Sequence, residues 1–307
     1  MNPLRGIGLK ILSVSVFVLM AVCIKSAAAR VPPGEAVFFR SLFAIPVILT
    51  WLVLTHNLRH GLDTRNPMGH LWRGLVGTTA MGLGFTALGL LPLPEATALG
   101  YAAPLLTVIF AAMFLGEQVR VFRLTAVAIG LVGVVVVLSP RLTLTNVEVA
   151  SKIETIGAMA ALLGAVFAAL AQVFVRKLVH AEQTAAIVFY FSLTATILSL
   201  ATLPFGWVLP TSREAALLIA AGLFGGVGQI LLTESYRHAE MGVIAPFEYV
   251  SILFALVLGY VVFDEIPTAT MLGGAALIVA AGLFIIWRER RLGIEQSRAR
   301  SVVTPQG

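Results

Sequence analysis

The chain has 307 residues, of which 59% are hydrophobic and only 12% are charged, and its formal net charge is +6. Soluble domains are about 45–50% apolar and about 25% charged, so this composition excludes an ordinary soluble protein. The basic residues flank apolar segments and do not form one patch, which argues against a nucleic-acid partner. A single cysteine, Cys23, excludes an internal disulfide.

Ten continuous apolar runs, each about 17–22 residues long, follow one another along the chain with short polar breaks between them. An α-helix needs about 20 residues to cross a bilayer, and it satisfies its own backbone hydrogen bonds there. We therefore predict an all-α integral membrane protein with ten transmembrane helices. In chain order these are residues 8–28, 36–54, 71–91, 95–115, 122–139, 155–175, 185–205, 214–235, 242–263 and 269–287.

Lysine and arginine are distributed unevenly between the connections. With the N-terminus inside, the cytoplasmic segments carry about three times as many of these residues as the external ones. Arg73, just inside the third predicted span, is counted among the cytoplasmic flanking charges. Because ten is an even number, we predict a multi-pass protein of the inner (cytoplasmic) membrane with both termini in the cytoplasm.

The two halves of the chain contain similar segments. Tyr101 precedes Glu117 by the same spacing as Tyr249 precedes Glu265, and a helix rich in small residues follows each glutamate. Five helices per half is an odd number, so the second half must lie inverted relative to the first. Inverted repeats are typical of secondary transporters, whose substrate site lies between the halves near the middle of the membrane.

Four segments resemble the drug/metabolite transporter superfamily in its ten-helix EamA-type branch. They are FFRSLFAIP (38–46), ALGYAAPLLTVIFAAMFLGE (98–117), APFEYVSILFALVLGYVVFDE (245–265) and GGAALIVAAG (273–282). The resemblance implies two EamA repeats and carriage of a small metabolite by alternating access. Members carry amino acids, nucleotide-like molecules and vitamins, and a narrower likeness is to bacterial members proposed for riboflavin or S-adenosylmethionine.

This resemblance also suggests a domain division. We expect a first EamA-type repeat at residues 1–139, a linker at 140–154, a second repeat at 155–287 and a basic cytoplasmic tail at 288–307. The candidate solutes are riboflavin-like, nucleoside-like or amino-acid-like. The sequence leaves the solute, the direction of transport, the coupling ion and the oligomeric state open.

Glu248 is the most informative candidate side chain, because it lies inside the ninth predicted helix. An acid within a membrane span is costly unless it faces a cavity or a partner, so we expect it to bind the substrate or a coupling proton. The alternative is a structural ion pair, or a protonated acid hydrogen bonded to a neighbouring helix. Pro246 precedes it by two residues and is expected to open the helix locally.

Gln172 and Gln229 lie in the same half of the membrane as Glu248, and the three side chains are expected to form the polar wall of a cavity. The alternative for the glutamines is interhelical hydrogen bonding. Tyr101 and Tyr249, related by the repeat, are expected to lie one in each half of the membrane, to face a common axis and to stack on a planar substrate. Their alternative is an aromatic-belt or core position.

Three further charged residues lie near predicted helix ends. Arg40, near the outer start of the second helix, either attracts an anionic solute or extends to the interface. Lys25, near the outer end of the first helix, has the same two alternatives, of which extension to the interface is favoured. Glu265 is expected to cap the helix that follows it.

Enzyme signatures are absent from the sequence. It contains neither a GxxxxGK[ST] loop nor an HExxH pair, and its five histidines fall in or near cytoplasmic connections, where solvation is expected. We therefore predict no enzymatic activity, no cofactor and no metal site. The competing interpretation is a membrane enzyme acting on a lipid or isoprenoid, which normally needs clustered acids or histidines at a membrane face.

Overall fold

The computed structural model describes residues 3–57, 60–115, 121–142, 149–179, 181–238 and 245–303. Within these residues the secondary structure is entirely helical. The α-helices are α1 (Pro3–Ala27), α2 (Pro33–Leu54), α3 (Pro67–Leu90), α4 (Leu93–Gly100), α5 (Ala102–Leu115), α6 (Val121–Leu142), α7 (Val149–Val179), α8 (Thr184–Ser199), α9 (Ser212–His238), α10 (Val250–Phe263) and α11 (Ala269–Val303). Two 3-10 turns, Leu200–Phe205 and Ala245–Tyr249, follow α8 and precede α10.

These elements make ten transmembrane passes, which confirms the predicted all-α fold. By length and apolar composition alone, five described segments suffice to cross a bilayer: Leu4–Ala27, Pro33–Leu54, Lys152–Val179, Thr184–Phe205 and Ser212–Ser235. Shorter apolar stretches lie at Thr125–Val137, Phe247–Phe263 and Ala269–Phe284. We call the side on which α1 begins and α9 ends the terminal face, and the other side the opposite face.

Local sequence explains where several helices begin. Prolines occupy the first turn of α2, α3 and α4, where a missing backbone N–H costs nothing and the fixed φ suits a helix. Asn66 caps α3 because its side-chain oxygen accepts a hydrogen bond from the Gly69 N–H at 2.9 Å. The polar connection before α3 therefore ends in a defined helix start.

Two of the passes are broken, whereas the sequence predicted one continuous helix for each. The fourth pass is interrupted at Tyr101, between α4 and α5. The ninth is a 3-10 turn, Ala245–Tyr249, that continues into α10, at the position where Pro246 was expected to open the helix. Glu117 and the predicted start of the ninth helix lie outside the described residues.

Helix packing follows the twofold relation of two inverted repeats. The first pass, α1, lies along α9, which is the eighth, and the third, α3, lies along α7, which is the sixth. Exchanging the two halves converts one of these contacts into the other. The contact between α6 and α11, the fifth and tenth passes, maps onto itself.

Glycines on α9 allow close approach to α2. A Cβ added at Gly222 would lie 2.4 Å from the Phe43 Cβ, and one at Gly226 would lie 3.2 Å from the Ala44 Cα. Small residues on one helix face permit this kind of backbone approach in membranes. The close packing brings α9 against the α2 face that carries Arg40.

The connection between α7 and α8 is tied to the chain segment before α3. Glu182 is buried and its Oε1 accepts hydrogen bonds from the backbone N–H groups of Arg65 and Asn66 at 2.8 and 2.9 Å. The expectation of solvated histidines is wrong for His70, which is buried with its Nε2 3.6 Å from Glu182 and its ring 4.9 Å from that of Tyr190. The cause is this partner, which comes from a distant connection.

Burial alone would raise the pKa of Glu182. The hydrogen bonds from Arg65, Asn66 and the Thr64 hydroxyl outweigh it, however, and hold the pKa of this carboxyl below its ordinary value. The carboxylate form is thus stabilised by the fold, and in turn it fastens the α7–α8 connection to the start of α3.

Candidate functional site

A cavity of about 170 Å³ lies between α3, α7, α8 and α9. Both halves of the chain contribute to it, because α3 belongs to the first half and the other three helices to the second. Its lining combines small apolar residues, which leave the space, with a few polar side chains. The lining residues are Arg73, Gly77, Ala80, Ala168, Ala171, Gln172, Val175, Ile187, Val188, Phe191, Gln229, Leu232 and Thr233.

The cavity lies in the half of the membrane next to the terminal face. Arg73 follows the start of α3 at Pro67, and Gln172 precedes the end of α7 at Val179. At 1.5 Å per residue, both lie about 9–11 Å along the axis from those helix ends. In a hydrocarbon core about 30 Å thick, this depth is about one third of the way across.

Gln172 and Gln229, which were predicted to share a polar wall, both line this cavity. Thr233, one turn beyond Gln229, also lines it, and its hydroxyl donates to the Gln229 backbone carbonyl at 2.8 Å. Among the described residues, neither glutamine side chain has a hydrogen-bond partner. Two amide groups are therefore available to a molecule in the cavity, each as donor and acceptor.

Arg73 is the charged residue of the cavity lining. The sequence did not predict it as a site residue. It is buried, its Cζ lies 4.0 Å from the centre of the Phe191 ring, and its Nε and Nη1 atoms have no hydrogen-bond partner. Gly77 makes room for it, since a Cβ there would lie 2.0 Å from the Arg73 Nη1. A glycine one turn after an arginine inside a span was the signal available in the sequence.

Arg40, a predicted site residue, lies next to this cavity. Its side chain is buried, and its Cζ lies 5.7 Å from the centre of the same Phe191 ring. Its Nη2 donates a long hydrogen bond to the Gly225 carbonyl at 3.4 Å, while Nε and Nη1 have no partner. Arg40 does not extend to the interface, because the close approach of α9 at Gly225 encloses it.

The two arginines form a concentration of positive charge inside the protein. Their Cζ atoms are separated by no more than the sum of their distances to the Phe191 ring centre. At that largest separation and an effective dielectric constant of about 20, their repulsion is about 2 kcal/mol. Within the described part of the chain no carboxylate forms an ion pair with either of them.

Tyr101 and Tyr249 meet at the two helix breaks. Both are buried, and their rings form an edge-to-face pair with centroids 5.0 Å apart. The Tyr101 hydroxyl is hydrogen bonded to Ser251 and lies 3.4 Å from the Tyr249 carbonyl. The structure brings the two together at a place separate from the cavity lining. Their role in stacking on a substrate stays a prediction.

Glu248 lies in the 3-10 turn and is partly exposed. Its Oε2 is 3.5 Å from the Nζ of Lys10, whose side chain is buried. It does not line the cavity that contains Gln172 and Gln229. The three residues predicted to form one wall are therefore divided between two places in this conformation, and a role for Glu248 in binding stays a prediction.

A polar cluster joins four passes at the opposite face. The Lys25 ammonium lies 3.0 Å from Glu265 Oε1 and donates to the carbonyls of Leu88 and Leu91 at 3.2 and 2.5 Å. The Leu93 N–H donates to Glu265 Oε2 at 2.7 Å. The expectation that Lys25 extends to the interface is wrong, because these partners hold it, and Glu265 binds the start of α4.

Comparisons with known proteins place the chain among membrane carriers. It matches the EamA-like transporter family over residues 4–139 and 155–287. It is 32% identical to the pseudopaline exporter of Pseudomonas aeruginosa over 279 residues, covering 90% of this chain and 94% of that one. It is 29% identical to the S-adenosylmethionine uptake transporter of Rickettsia conorii over 291 residues, covering 94% of each.

The fold is also that of a protein of known crystal structure. Its TM-score is 0.66 at 23% identity, and the alignment covers 94% of this chain and 98% of the other. At this identity the likeness supports the arrangement of the helices and nothing finer.

Proposed function

Because the chain belongs to the EamA-like transporter family, we propose that it is a secondary transporter that carries a small organic metabolite by alternating access. Family membership makes it a membrane transporter of small molecules and not an enzyme. In such transporters one inverted repeat usually moves against the other around a substrate site between them, which opens the site to each side of the membrane in turn.

The observation that carries this proposal is the difference between the two faces. Near the terminal face, four helices enclose a cavity with unpaired amide groups. Near the opposite face, the Lys25–Glu265 cluster fastens four passes together. A site placed in one half and a polar closure across the other half are what one end state of an alternating-access cycle requires.

The relatives suggest solute classes but not a direction, since one is named for export and another for uptake. We propose a solute that has an amino-acid-like or nucleoside-like part, and we retain a riboflavin-like solute as the other candidate. Binding pockets for drug-sized ligands usually measure about 300–1,000 Å³. The cavity is smaller, so in this conformation it encloses only one part of such a solute.

We further propose that both termini face the cytoplasm of a cell whose inner membrane holds the protein, and that Glu248 binds substrate or a coupling proton. The charge bias of the connections supports the orientation. A carboxyl at a helix break supports the role of Glu248.

Reporter fusions test the orientation. A reporter that is active only in the cytoplasm should be active when fused after Arg291, whereas activity of an export-only reporter there would refute the orientation.

The competing function, a membrane enzyme acting on a lipid or isoprenoid, is not favoured. The residues that the structure describes contain no group of three or more His, Cys, Asp or Glu side chains suited to holding a metal ion. The family and the named relatives are transporters.

Solute release from sealed vesicles tests the proposal. Proteoliposomes are loaded with a defined mixture of amino acids, adenosine, riboflavin and S-adenosylmethionine, and the released solutes are measured by mass spectrometry without ATP. Release of at least one solute should exceed that from protein-free liposomes and should fall in Gln172→Ala. Gln183→Ala is the matched control, because Gln183 accepts a hydrogen bond from Asn57 in a connection outside the cavity. Equal release with and without protein, together with altered lipids, would favour the enzyme.

A further inference from the structure

Two buried arginines on different helices converge on one phenylalanine beside the cavity. We propose that Arg40, Phe191 and Arg73, here called the arginine cluster, form a subsite for a carboxylate group of the transported solute. This inference rests on the proposed function and adds the chemical class of the solute.

The N–H donors of the cluster are not satisfied by the described part of the chain. The Nε and Nη1 atoms of both arginines are buried and have no hydrogen-bond partner. A guanidinium stays charged in a protein, so each unsatisfied N–H is costly unless an acceptor arrives. Interaction with the Phe191 ring stabilises the cations but leaves these donors unused. In the described residues no acid fills the place, which leaves it to a ligand.

The donors match a carboxylate. A guanidinium is planar and presents a fork of N–H groups that binds a carboxylate through two parallel hydrogen bonds. The other polar lining residues, Gln172, Gln229 and Thr233, are neutral and suit an uncharged or amine-bearing part of the same solute. A carboxylate is also small enough for the cavity of about 170 Å³.

Glycines give the cluster its space. An added Cβ would come within 2.0 Å of Arg73 Nη1 at Gly77, and within 2.6 Å of Arg40 Nε at Gly225. Both glycines lie on helices that pack against other passes, so the guanidiniums occupy room that any larger residue would take. Gly77→Ala should therefore displace the Arg73 fork without changing the charge of the protein.

Matched probes that differ only in the carboxylate test the inference. Thermal stabilisation of the purified full-length protein is measured with S-adenosylmethionine and its decarboxylated derivative, with succinate and succinamide, and with inorganic phosphate. At least one carboxylate should bind, and its matched uncharged or decarboxylated counterpart should bind about ten- to a hundredfold more weakly. Arg73→Gln and Gly77→Ala should weaken binding of that carboxylate to a similar extent, and Arg73→Lys by less.

A structural role for Arg73 is separated by the ligand-free protein. Arg73→Gln removes an unpaired buried charge, so its melting temperature without ligand should not fall below that of the parent. Arg30→Gln is the matched control, since Arg30 is a half-exposed residue paired with Glu214 at the opposite face, and it should leave carboxylate binding unchanged.

Three outcomes would overturn the inference: equal binding of the matched probes, stronger binding of phosphate than of any carboxylate, or unchanged carboxylate binding in Arg73→Gln. The absence of binding by every carboxylate probe would overturn it as well. Vesicle release separates this failure from that of the proposed function. A solute without a carboxylate that is released by the protein refutes the subsite and retains the transporter. Carboxylate binding without release of any solute retains the subsite and refutes the transporter.

Discussion

Replacing Lys25 with methionine removes the cation at the centre of the cluster on the opposite face. Methionine keeps the length and the apolar stem of the side chain but not its three donors. In the parent protein these donors face Glu265 and the carbonyls of Leu88 and Leu91. We expect the variant to fold and to populate a conformation in which this face is open.

The size of the effect follows from the contacts that are lost. A hydrogen bond to a charged group contributes about 1.5–3 kcal/mol, and breaking a buried pair costs about 3–5 kcal/mol. Both side chains are largely buried, and water restores part of this interaction once the face opens. We therefore expect a net shift of about 3 kcal/mol toward the open form, a change in the population ratio on the order of a hundredfold.

Distances between spin labels across this face measure the opening. Ala29 and Ile266 are both exposed, at the ends of α1 and α10, and suit labelling after replacement by cysteine. The natural Cys23 is replaced by alanine in all proteins so that only these two sites react. Double electron–electron resonance in nanodiscs should give a longer main distance in Lys25→Met than in the parent.

The control is Arg30→Gln, which breaks another ion pair at the same face. The Arg30–Glu214 pair is 3.6 Å long with its arginine half exposed, and exposed pairs contribute about 0–1 kcal/mol. Its distance distribution should match that of the parent. Lys25→Met could instead have the distance distribution of the parent and of Arg30→Gln, and differ only in a lower melting temperature. That result would show that the cluster stabilises the fold and does not set the conformation.

Three other substitutions test separate parts of the structure. Tyr101→Ala and Tyr249→Ala should weaken the apparent solute affinity in vesicle uptake about three- to tenfold, with the phenylalanine variants close to the parent; normal uptake by both alanine variants would refute stacking on the solute. Glu248→Gln should lose solute binding or the dependence of accumulation on a pH gradient, and unchanged binding, flux and pH dependence would make its pair with Lys10 structural. Glu182→Gln should lower the free energy of unfolding at neutral pH by about 1–3 kcal/mol. Because the folded-state pKa of Glu182 lies below its unfolded value of about 4.3, the loss should be full at neutral pH and should shrink as the pH falls from about 4.3 toward the folded-state pKa in a thermal denaturation series, and a loss of constant size throughout this series would refute this account.

The ten passes follow from the sequence because continuous apolar runs of membrane length leave few alternatives. The shared depth of Gln172 and Gln229 also followed from their spacing to helix ends, and both line the cavity. The break at Tyr101 was not predicted, although Gly100 precedes it and Pro104 lies in the first turn of α5, because the apolar run around it is long enough to be read as one continuous pass. It exists where that tyrosine meets Tyr249 from the other half of the chain.

The charged residues were harder to interpret, since their roles depend on partners far away in the sequence. Arg73 has the position of an ordinary flanking charge, but Phe191 from α8 packs against its guanidinium. Lys25 stands at a helix end where extension to the interface is the usual outcome, but Glu265 from α10 binds it. Hydropathy locates the passes, whereas the pairing between passes decides which charges are buried.

The first pass is tethered to the ninth by two ion pairs, Lys10–Glu248 near one face and Lys25–Glu265 near the other. The two lysines are about 22 Å apart along a helix that rises 1.5 Å per residue. Because a helix of this length is stiff, tilting α1 about its middle to separate one pair presses the other together. If α1 moves in this way during transport, both faces do not open in one motion. Joint opening of both faces would let ions cross, and each ion would dissipate about 2.3 kcal/mol per 100 mV of membrane potential, so we expect the loss of both ion pairs to cause ion leak.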